Sequence, residues 1–116
     1  MTQIPAQNQP DVPSVSNAEL PDNAVILDVR EPHEWALGRA PAAVHIPLGE
    51  LEARLAELPD QAPLVVTCRG GGRSSRAVAF LRSQGIEAIN LTGGMMGWQR
   101  DNRPMSHDGP GTPEVR

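Results

Sequence analysis

The 116 residues predict an α/β domain built around a largely parallel sheet, and three observations lead there. Short apolar runs alternate with helical patterns, the order expected of βαβ units. The two strongest runs, Ala-Val-Ile-Leu-Asp at 24–28 and Pro-Leu-Val-Val-Thr at 63–67, are continuous rather than alternating, as in strands covered on both faces. The second of them leads through three glycines straight into a helical pattern, a strand–loop–helix sequence.

Taken in order, residues 24–28 form the first expected strand. Pro32 suits the first turn of a helix and Gly38 its C-terminal cap, so 31–37 reads as a short helix. Val44-His45-Ile46 is a short strand. Leu48, Leu51, Leu55 and Leu58 recur at spacings of three and four, one apolar stripe on a second helix that Pro59 ends. The strand at 63–67 follows, and then a third helix over 74–84. Its Ala77, Val78, Phe80 and Leu81 turn inward and Gly85 stops it. Residues 86–90 make the last expected strand. Residues 1–13 and 105–116 hold five of the twelve prolines and few apolar residues, so both read as flexible tails around a domain at 14–104.

Composition narrows the function classes. Hydrophobic residues make up 39% of the chain, with no Tyr, one Phe and two Trp, so the core is aliphatic. A formal net charge of -4 argues against nucleic acid or an anionic membrane as partner. No apolar run reaches a membrane span and the N-terminus lacks the pattern of an export signal, so a soluble, cytoplasmic protein is expected. Cys68 is the single cysteine, which excludes an internal disulfide and a cysteine-rich metal cage. His33, His45 and His107 are scattered without metal-ligand spacing, and neither a metal nor another cofactor is expected.

The chemistry gathers at Cys68-Arg69-Gly70-Gly71-Gly72-Arg73, with Ser74 and Ser75 opening the third helix. Consecutive glycines let a loop turn its N–H groups inward as an anion-binding ring, and a helix N-terminus adds its positive end. Beside that end and two arginines, the thiolate form of Cys68 is favoured over the thiol. Charge supports this. Residues 61–86 carry Arg69, Arg73, Arg76 and Arg82 and no acid, whereas 19–60 hold nine acids against three arginines. Arg76 and Arg82 read as solvated helix charges; Arg69 and Arg73 flank the glycines and read as anion ligands. A buried cysteine is ordinarily just a small hydrophobe. Its place at a strand terminus, where open α/β sheets hold ligands, argues for more.

These residues carry a resemblance to a family, the single-domain rhodaneses, over most of 15–103. Ile26-Leu-Asp-Val-Arg-Glu31 with Glu34, Trp35 and Gly38 looks like its N-terminal signature and His45-Ile-Pro47 like its central one. Cys68 to Ser75 is similar to its active-site loop, and Leu91-Thr-Gly-Gly94 with Trp98 and Pro104 to its C-terminal signature. The chain departs from the pattern at Arg39, where a histidine is usual, and at Ala42, where a glycine is. The resemblance implies a three-layer sandwich with a mostly parallel central sheet of about five strands flanked by helices. It also implies a sulfurtransferase in which Cys68 takes a sulfane sulfur from an anionic donor such as thiosulfate and passes it to cyanide or a thiol. Arg69, Gly70, Gly71, Gly72, Arg73 and Ser74 would bind the donor, and Asp28 would brace the loop. Arg30 and Glu31 would form a structural ion pair or cap, Trp35 and Trp98 would pack in the core or at its rim, and Gly93 and Gly94 would approach the site as backbone.

Two other functions compete. Cysteine phosphatases and arsenate reductases of similar architecture set five residues between cysteine and arginine, and here there are four. Rhodanese-like domains also act as non-catalytic binding or regulatory modules, which often lack the cysteine that this chain keeps. With no second cysteine to resolve a persulfide, sulfur must leave to another molecule, a thiol or protein acceptor, and a monomer or weak homodimer suffices.

Overall fold

A computed structural model describes residues 11–116. Five strands, β1 (Ser14–Ser16), β2 (Ile26–Asp28), β3 (Val44–His45), β4 (Leu64–Thr67) and β5 (Ala88–Thr92), form one sheet in the order β1-β5-β4-β2-β3. Every pairing is parallel. Three helices, α1 (Pro32–Leu37), α2 (Gly72–Ser83) and α3 (Gly94–Arg100), complete the expected α/β architecture. No helix among the described residues is long and apolar enough to cross a membrane.

The continuous runs become the sheet's interior. All of β2 and β4 is buried, and alternate residues feed two separate cores. Leu27, Leu64 and Val66 join Ala77, Val78 and Leu81 of α2 in one core, which also takes Cys68. Ile26 and Val65 face the other way, onto Met95 and Trp98 of α3. A strand exposes successive side chains on opposite faces, so two apolar faces need two covering layers.

The structure departs from the sequence reading in four places. The edge strand β1 was not expected: only Val15 of its three residues is apolar, and it is held by parallel pairing with β5. Nor was α3, whose Gly94 and Gly97 are poor helix formers; burial of Met95 and Trp98 overrides that propensity. The leucine stripe packs on the first core, Leu51 fully and Leu48, Leu55 and Leu58 in part, but on 3-10 turns at Leu48–Glu50 and Glu52–Glu57 rather than an α-helix. The three-residue steps from Leu48 to Leu51 and Leu55 to Leu58 fit three residues per turn, and Arg54 breaks the helical path with φ -120°.

Tails are the fourth. Residues 1–10 of the expected N-terminal one lie outside the described residues, while the Pro13 carbonyl already accepts the Asn90 N–H. Residues 105–116 carry no helix or strand, yet they lie along the domain instead of leaving it. Arg39 and Ser106 form a two-way backbone bridge, and the Asp108 and Glu114 N–H groups donate to the carbonyls of Ala36 and Leu37. Those carbonyls end α1 and have no partner within the helix, so the segment caps it. Met105 and Val115 meanwhile gain cover on the second core.

Candidate functional site

Cys68 directly follows β4, at the C-terminal edge of the sheet, and is 1% exposed. Its Sγ accepts the Gly71 N–H at 3.0 Å and lies 3.3 Å from the Ser74 hydroxyl. Of the loop's amides, Gly71's is the one that donates to sulfur, so the expected ring is closer to a single amide and a hydroxyl at the start of α2. Gly71 precedes that helix with φ 119°, a conformation that favours glycine. Gly70 does not share this need: it has no positive φ, it is exposed, and a Cβ there would meet nothing within 4 Å.

The loop's other side is held by α3. The Met95 and Met96 N–H groups donate to the carbonyls of Cys68 and Arg69, at 2.8 and 3.0 Å. This close approach needs Gly94, at φ 57°, where a Cβ would fall 2.5 Å from the Arg69 carbonyl oxygen and 2.6 Å from that of Cys68. Gly94 thus approaches the site as backbone, as expected. Met96, two residues on, is the one large hydrophobic residue left exposed among those described.

The two arginines of the loop have different surroundings. Arg69 is exposed and makes no side-chain hydrogen bond or ion pair among the described residues, which leaves its guanidinium free for an anion. Arg73 turns away to Glu34 of α1, in a two-pronged ion pair at 2.7 and 2.9 Å. It is therefore a fastening between α2 and α1, a role the sequence reading did not assign. The pair raises the pKa of Arg73 and, through its hydrogen bonds above all, lowers that of Glu34 from 4.5 to about 2 against the opposing effect of burial.

Asp28 makes no hydrogen bond to the loop. It grips Arg30 in a fully buried ion pair at 2.7 Å, and Arg30 in turn donates to the carbonyls of Glu34 and Gly38 at the end of α1. Bracing is thus indirect: Asp28 fixes Arg30, Arg30 fixes α1, and α1 presents Glu34 to Arg73. Glu31 is not Arg30's ionic partner; it precedes α1, its N–H donating to the Glu34 carboxylate at 2.9 Å. Trp98 is fully buried and donates to the Pro104 carbonyl, while Trp35 lies at the rim, stacked on His45 with ring centroids 4.7 Å apart. Arg39, in place of the usual histidine, covers the other part of this stack, its guanidinium 4.8 Å from the Trp35 ring.

Sequence reasoning missed two buried groups at the site. Glu34 was read only as part of a motif, and Asn90 only as the end of a strand. Asn90 Oδ1 accepts the Ser74 hydroxyl at 2.5 Å, one step from the sulfur. The sequence shows only that the segment 61–86 has no acid of its own and must find one elsewhere, without saying which. Asn90 gave no signal, because its contact depends on the register of β5 beside β4.

The rhodanese-like domain family model matches residues 14–101. A putative sulfurtransferase of Bacillus subtilis, YtwF, is 36% identical over 86 residues, spanning 74% of this chain and 84% of that one. A sulfurtransferase of Allochromatium vinosum is 35% identical over 85 residues, spanning 72% and 79%. Among solved structures, a rhodanese-related protein of Thermoplasma volcanium superposes with a TM-score of 0.74 at 32% identity, covering 81% of this chain and 97% of the other.

Proposed function

The chain belongs to the rhodanese-like domain family, and from that premise we propose that it is a sulfurtransferase working through a persulfide on Cys68. One observation carries the reading. The Gly71 N–H, at the start of α2, is aimed at Cys68 Sγ from 3.0 Å, where it and the helix end favour sulfur bearing negative charge.

The cycle has two displacements. In the first, the Cys68 thiolate attacks the outer sulfur of a donor such as thiosulfate. A bond forms between the cysteine sulfur and that atom, the donor's sulfur–sulfur bond breaks, and sulfite leaves with the electron pair. In the second, cyanide or a thiolate attacks the outer sulfur of the persulfide, and Cys68 departs as thiolate. The Gly71 amide stabilises the anion at both stages because it is already oriented and needs no reorganisation. Because Cys68 itself is almost fully covered, the outer sulfur of the persulfide is the atom that meets the acceptor. Arg69, exposed at the loop apex, attracts the anionic donor; Arg73 contributes through its hold on Glu34.

All these groups come from one chain, so a monomer or weak homodimer suffices, with a small anionic donor and a thiol or protein acceptor as partners. We place the reaction in the cytoplasm, where reducing conditions keep an unpaired thiol available. Mass spectrometry after exposure to thiosulfate should show one added sulfur on Cys68, and Cys68→Ser should carry none and lose transfer to cyanide while staying folded. Full turnover by the serine variant refutes the mechanism. Absence of sulfur loading with every sulfane donor points instead to a binding module.

A further inference from the structure

The hydroxyl beside the nucleophile has a single proton and three acceptors within reach. Ser74 Oγ lies 2.5 Å from Asn90 Oδ1, 3.2 Å from the Gly71 carbonyl and 3.3 Å from Cys68 Sγ. Ser74 is fully buried, and Cys68 and Asn90 nearly so, so water is no substitute partner. The proton goes to the nearest and best hydrogen-bond acceptor, the amide oxygen of Asn90. The hydroxyl then turns lone pairs toward the sulfur. That suits a thiol, whose S–H can donate to Ser74 Oγ, and opposes a thiolate, which needs donors around it.

We propose that Asn90 is a positioning residue that restrains the reactivity of Cys68 by drawing the Ser74 hydroxyl proton away from the sulfur. When the thiol loses its proton to solvent, the hydroxyl must swing from Asn90 to Sγ, and the buried Asn90 oxygen gives up its partner. This loss is set against the gain at sulfur, so the hydroxyl supports an anionic sulfur less than its position beside Sγ would suggest. Nothing in the composition of β5 suggests such a role. Its register beside β4 supplies it, bringing Asn90 level with Val66 and under the start of α2.

The inference deepens the reading of Cys68 as the nucleophile, and its test does not depend on sulfur transfer. The measurement is the pH-rate profile of Cys68 alkylation by iodoacetamide in the intact protein, with Asn90→Ala and Asn90→Asp, each also in a Ser74→Ala background. Releasing one hydrogen bond predicts that Asn90→Ala speeds alkylation near neutral pH by about threefold to tenfold and moves the profile to lower pH. Asn90→Asp should slow it and move the profile the other way, since a carboxylate holds the hydroxyl proton harder and adds negative charge near the sulfur. In the Ser74→Ala background the Asn90→Ala acceleration should disappear. An unchanged or slower rate in Asn90→Ala overturns the proposal, as does an equal acceleration without Ser74, which would mean that the substitution merely opens access. Should the protein fail to load sulfur while these alkylation results hold, Cys68 is not a sulfur carrier but its restraint by Asn90 stands.

Discussion

Replacing Glu34 with Gln removes a charge at nearly constant shape and tests the fastening between α1 and α2. In the folded chain the Arg73 hydrogen bonds hold Glu34 at about 2, against 4.5 when it is free. A tenfold change in proton affinity is worth about 1.4 kcal/mol, so the full displacement corresponds to about 3 kcal/mol. Arg73 is 31% exposed, and solvent screens its half of the pair, which reduces the expected contribution to about 1–2 kcal/mol. The depressed pKa fixes the sign. Above about pH 4.5 the carboxylate is ionised in both folded and unfolded chains and the stabilisation is complete. As pH falls toward 2 the unfolded chain takes up the proton first, and the advantage is lost. Urea unfolding followed by tryptophan fluorescence should therefore show Glu34→Gln less stable by about 1–2 kcal/mol near neutrality, with the gap reduced to about half near pH 3. A gap that is the same at both pH values would assign the loss to packing, and no gap at neutrality would remove the ion pair from the account altogether.

Two further substitutions probe the supports of the loop. Gly94→Ala should lower stability by at least about 1–2 kcal/mol from its left-handed backbone alone, and displace the loop carbonyls from the Met95 and Met96 amides, whereas Gly70→Ala should leave melting unchanged. Equal melting temperatures for the two variants would contradict the close approach. Asp28→Ala strands the Arg30 guanidinium in a site with no exposure, for which a loss of about 3–5 kcal/mol is expected, a large part of the stability of a domain this size. Chemical denaturation measures it, and a loss under about 1 kcal/mol would mean that Arg30 finds other partners or water.

How far the sequence reached depended on whether a feature was local. The continuous runs at 24–28 and 63–67 announced strands buried on both faces, and β2 and β4 are those strands. Pro32, Gly38 and Gly85 marked helix ends within one or two residues of where α1 and α2 stop or start. The strand–glycines–helix order located Cys68. What was illegible is made by residues far apart in the chain. Glu34 meets Arg73 across 39 positions, and Asn90 meets Ser74 across 16, so neither contact leaves a periodic trace. The leucine spacing of three and four could not separate an α-helix from 3-10 turns, because both bury the same stripe. The glycines misled in part: the loop's positive φ falls on Gly71 alone, so a run of three is not three conformational requirements.

If Cys68 carries sulfur as proposed, the construction of the site suits a moderate hold on it. The segment carrying Cys68 looks strongly basic in sequence, yet Arg73's charge is answered by Glu34, and Arg69 is out in solvent. Among the described residues, what faces the sulfur at hydrogen-bond distance is an amide and a hydroxyl, both dipoles. A carrier of transferable sulfur needs this balance. Interactions that favour an anionic intermediate without matching gain in the next transition state deepen a well from which the sulfur must later escape. Dipoles fixed by α3 on one side and by the Asp28–Arg30–α1–Glu34 chain on the other supply orientation without such depth. The long route from Asp28 to Arg73 therefore ties the charge of Arg73 to Glu34 while it keeps the loop in place.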